Sequence, residues 1–298
     1  MLHVVVAASC QKMVAAGPTQ SDLRERMKHF SAHPFAAVTS ATTNWQLIAQ
    51  LTARDIAARY RGSIAGILWS LLSPLLSLAM YTFVFGFVFQ ARWGNGQDST
   101  LDYALALFAG LVVHGLFAEV LGRAPFLVIG NPTYVKQILF PLETLPIVTL
   151  LSAVFNTIVG FSLLLIFWAL SHDGLHIATF IIPILLVPLC LFALGVGWML
   201  AATTVFFRDI AQLVSFISSG LLFLSPIFYP ISAVPETLRP VLNLNPLTFI
   251  IESIRAVLLS GQPPHLIHFM VYSLVSLVVA ALGFAWFQRL RPGFGDVL

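Results

Sequence analysis

Charge is almost absent from six long stretches of this chain, and the polar positions collect in the gaps between them. The apolar runs cover 64–89, 103–121, 145–170, 178–207, 210–228 and 266–286. A hydrocarbon layer of roughly 30 Å takes about 20 apolar residues wound as a helix, so the pattern predicts six membrane-crossing helices and an all-α membrane protein. The fourth and fifth runs are separated by little more than Arg208 and Asp209, which predicts a tight charged turn at the membrane surface. Pro183 and Pro188 fall inside the fourth run, where neighbouring helices can re-satisfy the carbonyls that a proline frees.

Three further segments are patterned but too short to cross. In 44–62, Trp45, Leu47, Ile48, Leu51, Ile56 and Ala57 recur at mostly helical spacing, with Gln46, Gln50, Arg54, Asp55 and Arg59 opposite them. This predicts an amphipathic helix lying in the interface with Asn44 as its N-cap. Its basic end, Arg59-Tyr60-Arg61, lies beneath the first span. There it can meet anionic headgroups or a lipid-linked pyrophosphate, or serve only as positive anchoring. In 131–141, Asn131-Pro132 starts a short helix that Tyr134 and Lys136 fill and Phe140-Pro141 end. It can dock on a soluble partner or simply pack at the surface. In 229–265, two short amphipathic helices, 235–242 and 248–259, flank Asn245-Pro246, with Glu252 and Arg255 three apart on the second. They are expected at the outer surface or over a pore mouth, as a gate or as a passive cap.

Composition agrees with a lipid solvent: 58% of the 298 residues are hydrophobic and 9% charged, and the mean hydropathy is +0.92. The 15 basic and 12 acidic residues are parcelled out between apolar runs, which argues against a nucleic-acid surface. Their distribution gives an orientation. With a cytoplasmic N-terminus the inner segments hold Lys12, Arg24, Arg26, Lys28, Arg54, Arg59, Arg61, Arg123, Lys136, Arg208, Arg289 and Arg291, and the outer ones hold Arg92, Arg239 and Arg255. Trp93, Tyr229 and Trp286 stand at run ends, where amphipathic rings favour headgroups. Residues 1–43 are expected to be a variable, disordered cytoplasmic tail, with Met27 as an alternative start to Met1. Residues 63–288 form the transmembrane domain and 289–298 a second cytoplasmic tail.

Candidate chemistry is sparse. Cys10 and Cys190 make neither a disulfide framework nor a metal spacing. No hydrolase, metalloprotease or phosphate-loop motif is present, so no catalytic residue and no metal ligand is assigned. His114 and Glu119, in the second run, project to different helix faces and form no proton relay. Tyr81, Phe85 and Phe89 recur every four residues in the first run, and Phe216, Phe223 and Phe228 mark the fifth. Such rings can face lipid and packing partners, or line a conduit where the apolar faces of sugars would stack.

From about Trp45 onward the chain resembles the membrane subunits of ABC-2 type exporters, particularly those for O-antigen, capsular polysaccharide and teichoic acid. The resemblance rests on motifs in order: Arg59-Tyr60-Arg61-Gly62-Ser63 with Leu68-Trp69-Ser70-Leu71-Leu72-Ser73-Pro74, then Lys136-Gln137-Ile138-Leu139-Phe140-Pro141, Phe207-Arg208-Asp209, Ser225-Pro226-Ile227-Phe228-Tyr229, Asn245-Pro246, and Glu252 with Arg255. It implies a homodimer in the bacterial inner membrane and a separate ATP-binding cassette subunit that binds ATP and Mg, so this chain itself carries no cofactor. The implied substrate is an undecaprenyl-linked polysaccharide used in lipopolysaccharide biosynthesis. The coupling helix would include Asn131, Tyr134, Lys136, Phe140 and Pro141, and the substrate entrance Arg59, Tyr60 and Arg61. Tyr81, Phe85, Phe89, Phe216 and Phe223 would line the channel, and Tyr229, Asn245, Pro246, Glu252 and Arg255 would belong to the outer gate. A drug or small-lipid exporter of the same class is one competing reading. A polyprenyl-phosphate-dependent membrane transferase is another, and Asp55 and Asp209 are too isolated to give it a metal site.

Overall fold

The computed structural model describes residues 34–61, 66–88, 100–136, 140–172, 174 and 176–298. Every regular element among them is helical, as lipid demands, because a helix satisfies its backbone polar groups within one segment. Helices α1 (Pro34–Thr43) and α2 (Trp45–Tyr60) precede the first span. That span is α3 (Trp69–Tyr81), extended by a wider π-type stretch, Thr82–Val88. Next come α4 (Thr100–Arg123), two short inner turns α5 (Phe126–Ile129) and α6 (Pro132–Lys136), and then α7 (Thr144–Ser171), α8 (Ile182–Phe206) and α9 (Ile210–Leu224). Short α10 (Arg239–Asn243), α11 (Pro246–Ser260), α12 (Leu266–Leu290) and a terminal turn α13 (Phe294–Val297) complete the chain.

Five of the six expected spans are present as helices long and apolar enough to cross: Trp69–Val88, Leu101–Arg123, Thr144–Ser171, Ile177–Phe206 and Leu266–Val297. The fifth run is different. Its helix, α9, has 15 residues, about 22 Å at ~1.5 Å per residue, short of the roughly 30 Å layer. Pro226 is the cause: it has no N–H for a ladder and drives the preceding residue out of the helical region. Ser225 accordingly takes φ −89° and ψ 149°.

Helix α4 is the axis of the bundle. Leu105, Phe108, Val113, Leu116, Phe117 and Val120 are buried along it, and α7, α8, α9 and α11 all pack on it. Helix α3 lies at the periphery with no residue fully buried. Leu76, Met80, Phe83 and Phe87 stay open on its outer face.

The N-terminal elements differ from expectation in three ways. Residues 34–43, assigned to the tail, form α1, whose Ser40 reaches Glu143. Asn44 does not cap α2; its amide turns back and donates to the Ser40 carbonyl at 2.8 Å, closing the end of α1. Asp55, expected on the polar side of α2, faces the bundle with Ile48 and Leu51, because Arg123 of α4 meets its charge.

The second outer helix also departs from its forecast. Instead of lying on the surface, α11 sinks one face into the core: Leu247, Ile250, Ile251, Ile254 and Val257 are 0% exposed. Asn245 caps it, its side chain accepting from Leu247 N at 2.9 Å. Gly261, at φ 63°, ends it in the left-handed conformation that glycine adopts without strain.

Helices α8 and α12 pack along their length at a distance set by two glycines. A Cβ on Gly195 would stand 2.5 Å from the Val279 carbonyl, and one on Gly283 would overlap the Gly195 backbone. Small residues are how lipid-embedded helices approach closely. Gly283→Ala is expected to force these backbones apart at a cost of about 1–3 kcal/mol. A clear fall in thermal stability in nanodiscs, with Gly220→Ala as the open-space control, checks this; equal stability of the two variants contradicts it.

Candidate functional site

The break after α9 leaves backbone carbonyls without helical partners inside the protein, and side chains from three elements reach for them. Tyr229 Oη donates to Phe223 O at 3.0 Å and Asn245 Nδ2 to Leu224 O at 3.3 Å. Arg255 donates through Nη1 to Pro226 O and through Nη2 to Ile227 O at 2.7 Å. Tyr103 Oη, from the outer end of α4, donates to Phe228 O at 2.9 Å. The remaining Arg255 nitrogen, Nε, donates to Ala106 O at 2.8 Å, and Glu252 Oε1 lies 3.2 Å from Nη1. Arg255 is 2% exposed. It therefore belongs to the core, although its place in the sequence suggested an outer loop. The expected gate residues Tyr229, Asn245, Pro246, Glu252 and Arg255 are thus gathered around one knot. Tyr103 was missed; its only signal was a hydroxyl-bearing ring at the start of a long apolar run.

The knot fixes Phe228 on a non-helical segment, where it joins rings from two helices. Phe85 stacks on Phe228 with centroids 4.9 Å apart, Tyr81 lies 5.9 Å from Phe228 and 6.3 Å from Phe85, and Phe223 lies 5.7 Å from Phe228. The sequence placed these rings on two separate helices, and the fold brings four of them together. Phe216 is apart, 78% exposed on the face of α9 that also opens Leu213 and Phe223. Phe89 lies outside the described residues.

At the opposite end of α4 stands a network of four charges. Arg123 grips Asp55 with two bonds of 2.9 and 2.5 Å. Arg59 bonds Glu119 closely and lies 3.4 Å from Asp55. Asn156 of α7 donates to Glu119 Oε2 at 2.8 Å, and Tyr60 Oη reaches Asn156 at 3.4 Å. Two arginines and two carboxylates leave no net charge: Arg59, although exposed, is held by carboxylates, and Arg61 is an exposed cation beside it. Burial alone would raise the Asp55 carboxyl, but hydrogen bonding to Arg123 and the charges of Arg123 and Arg59 hold it below the usual range. Asp55 is equally unable to serve the metal that a transferase would need.

Near the predicted coupling helix, Glu143 is a hub that sequence reasoning missed. Its Oε1 accepts from Ser40 at 2.8 Å and its Oε2 from Arg291 at 2.5 Å, while its carbonyl accepts from the Trp198 indole at 3.0 Å. Arg291 also donates to Phe140 O at 3.1 Å. Helix α6 spans only Pro132–Lys136, with Lys136 exposed and Tyr134 stacked on Phe140 at 4.3 Å. Asn131 donates to Leu127 O at 2.9 Å, and the Pro141 carbonyl accepts from the Thr144 hydroxyl at 2.7 Å. Gln137, Ile138 and Leu139 lie outside the described residues, as do Gly62 and Ser63. A carboxylate within or beside an apolar run, as at Glu119 and Glu143, was the available signal.

A depressed carboxylate contributes stability that is complete above its unfolded value, about 3.9, and is lost as pH falls through the folded value. The attachment of α2 to α4 is therefore expected to weaken as pH drops from 5 toward 3. Asp55→Asn should lose that acid-dependent step and show a weakened attachment at all pH values. Hydrogen exchange of α2 amides across this range checks it, and an identical pH profile in the variant contradicts it.

Residues 46–259 match the model of the family described as ABC-2 type transporter. The chain is 25% identical over 257 residues to an O-antigen export system permease protein RfbA of Klebsiella pneumoniae, covering 85% of this chain and 95% of the relative. A second such protein from the same species is 24% identical over 255 residues, with the same coverage. One from Myxococcus xanthus is 26% identical over 254 residues, covering 84% of this chain and 94% of the relative.

Proposed function

The chain belongs to the ABC-2 type transporter family, and from that premise we propose that it is the permease subunit of an ATP-driven exporter that moves a lipid-linked, O-antigen-like polysaccharide across the bacterial inner membrane. The observation that carries the reading is the stacked run Tyr81, Phe85, Phe228 and Phe223 in a chain that aligns over most of its length with permeases named for O-antigen export. Flat aromatic faces suit the apolar faces of successive sugars and impose no register, so a polymer can slide over them. A drug or small-lipid exporter has no need of such a run.

Both termini lie in the cytoplasm in this reading. The basic residues favour it, since Arg255, counted as outer, is buried in the knot and leaves the outer side with fewer exposed cations still. A second copy of the chain covers the open faces of α3 and α9, where Phe83, Phe87, Phe216 and Phe223 are exposed, and the conduit runs between the two. A separate ATPase subunit binds ATP and Mg and pushes on α6 and Phe140. Arg291 and Glu143 then carry that displacement into α12, α8 and α1. The lipid pyrophosphate meets Arg61, with Arg59 and Tyr60 positioning the end of α2 behind it.

Export into proteoliposomes containing this chain and its ATPase partner tests the proposal. Phe85→Ala should slow long-glycan export at least threefold at unchanged abundance, and Lys136→Ala with Phe140→Ala should leave ATPase activity running with little export. Loss of abundance alone in the first variant would make the ring a packing residue, and full export by the second would remove α6 from the coupling path.

A further inference from the structure

A cavity of about 870 Å³ opens between α11, the 261–265 turn and the outer end of α12. None of the stacked rings and none of the Asp55, Arg59, Glu119, Arg123, Glu143 or Arg291 groups line it, although it borders the knot at Asn245, Pro246 and Glu252, and its volume lies within the usual ligand-pocket range of about 300–1,000 Å³. Phe249 and Tyr272 supply its aromatic wall, with centroids 5.4 Å apart. Asn243, Gln262, His265 and His268, all exposed, form a polar rim. Glu252 also lines the cavity. Its Oε1 faces Arg255, and the side chain as a whole is 36% exposed.

The chemistry selects among ligands. None of the described residues lining the cavity is a lysine or arginine, and the guanidinium beneath it, Arg255, is engaged by three backbone carbonyls and Glu252. A phosphate headgroup would meet the Glu252 carboxylate, and the guanidinium nearby is already committed to other acceptors. A purely apolar ligand would leave the Glu252 carboxylate and the amides and imidazoles of the lining without a partner from the ligand. A neutral pyranose satisfies both constraints: its hydroxyls pair with carboxylate, amide and imidazole groups, and its apolar face covers a ring.

From this geometry we infer that the α11–α12 cavity is a sugar-binding site, distinct from the conduit rings, that takes a neutral pyranose unit. Its use as a holding point for glycan during export rests on the function proposed above; its affinity for a sugar does not. The measurement is saturation-transfer NMR on the purified full chain in phosphatidylcholine nanodiscs, titrated with methyl glycosides of glucose, galactose, mannose and rhamnose, with methyl phosphate as the anionic-headgroup control. At least one glycoside should receive saturation while methyl phosphate does not. The signal should fall at least threefold in Phe249→Leu and in the rim variant Gln262→Ala with His268→Ala. The rim positions are exposed, so that variant keeps the test valid if loss of Phe249 disturbs folding. Saturation of no glycoside, or a signal undiminished in the rim variant, overturns the assignment. Export that fails while sugar binding persists would instead count against the function alone.

Discussion

Inside a membrane a chain can leave helical geometry only where something else takes up its backbone hydrogen bonds, because each unpaired group in hydrocarbon costs several kcal/mol. This protein leaves it at Ser225 and, apart from one short turn and the five-residue α10, does not resume helix until α11. The carbonyls released there are taken by Tyr229, Asn245, Arg255 and Tyr103. Arg255 alone takes two of them, and its planar fork also serves Ala106 of α4, a task that a lysine ammonium could not perform from one position. Glu252 keeps the buried charge from standing alone.

Because the break is held, two features follow. Phe228 is fixed beside α3, which lets rings from an otherwise peripheral span and from the short helix α9 form one packed group. Helix α11 is drawn against α4 and α8, so the outer end of the bundle is closed by a core helix and not by a loosely docked flap. The opposite end of the bundle uses charges for a similar purpose. Asp55, Arg59, Glu119 and Arg123 fasten α2 to α4, and Glu143 with Arg291 ties the start of α7 to the end of α12. The α2 end of the bundle is thus fastened by ion pairs, whereas the knot depends mainly on hydrogen bonds to backbone.

Long apolar runs made most of this architecture legible, since length and hydropathy nearly determine a span. The fifth run misled because its composition is apolar through Phe228, and Pro226 marked the true end of the helix. The outer helices were visible from Asn245-Pro246 and their periodicity, but their depth was not: an amphipathic pattern states that one face is buried, not in what. Pairings across the bundle were invisible. Asp55 and Arg123 are separated by 68 residues, and Glu143 and Arg291 by 148; no local spacing reports such contacts. The gate residues were named from a resemblance, and only the fold shows that Arg255 acts by binding carbonyls.

Hydrogen exchange of the 224–231 segment in the Arg255→Lys protein, held in nanodiscs, addresses the knot directly. The account expects exchange there to rise at least tenfold, with α8 and α12 unchanged, because one ammonium cannot replace three directed donors. Exchange equal to that of the unaltered protein would mean that the break is held by something other than Arg255, and the explanation of the outer end would fall with it.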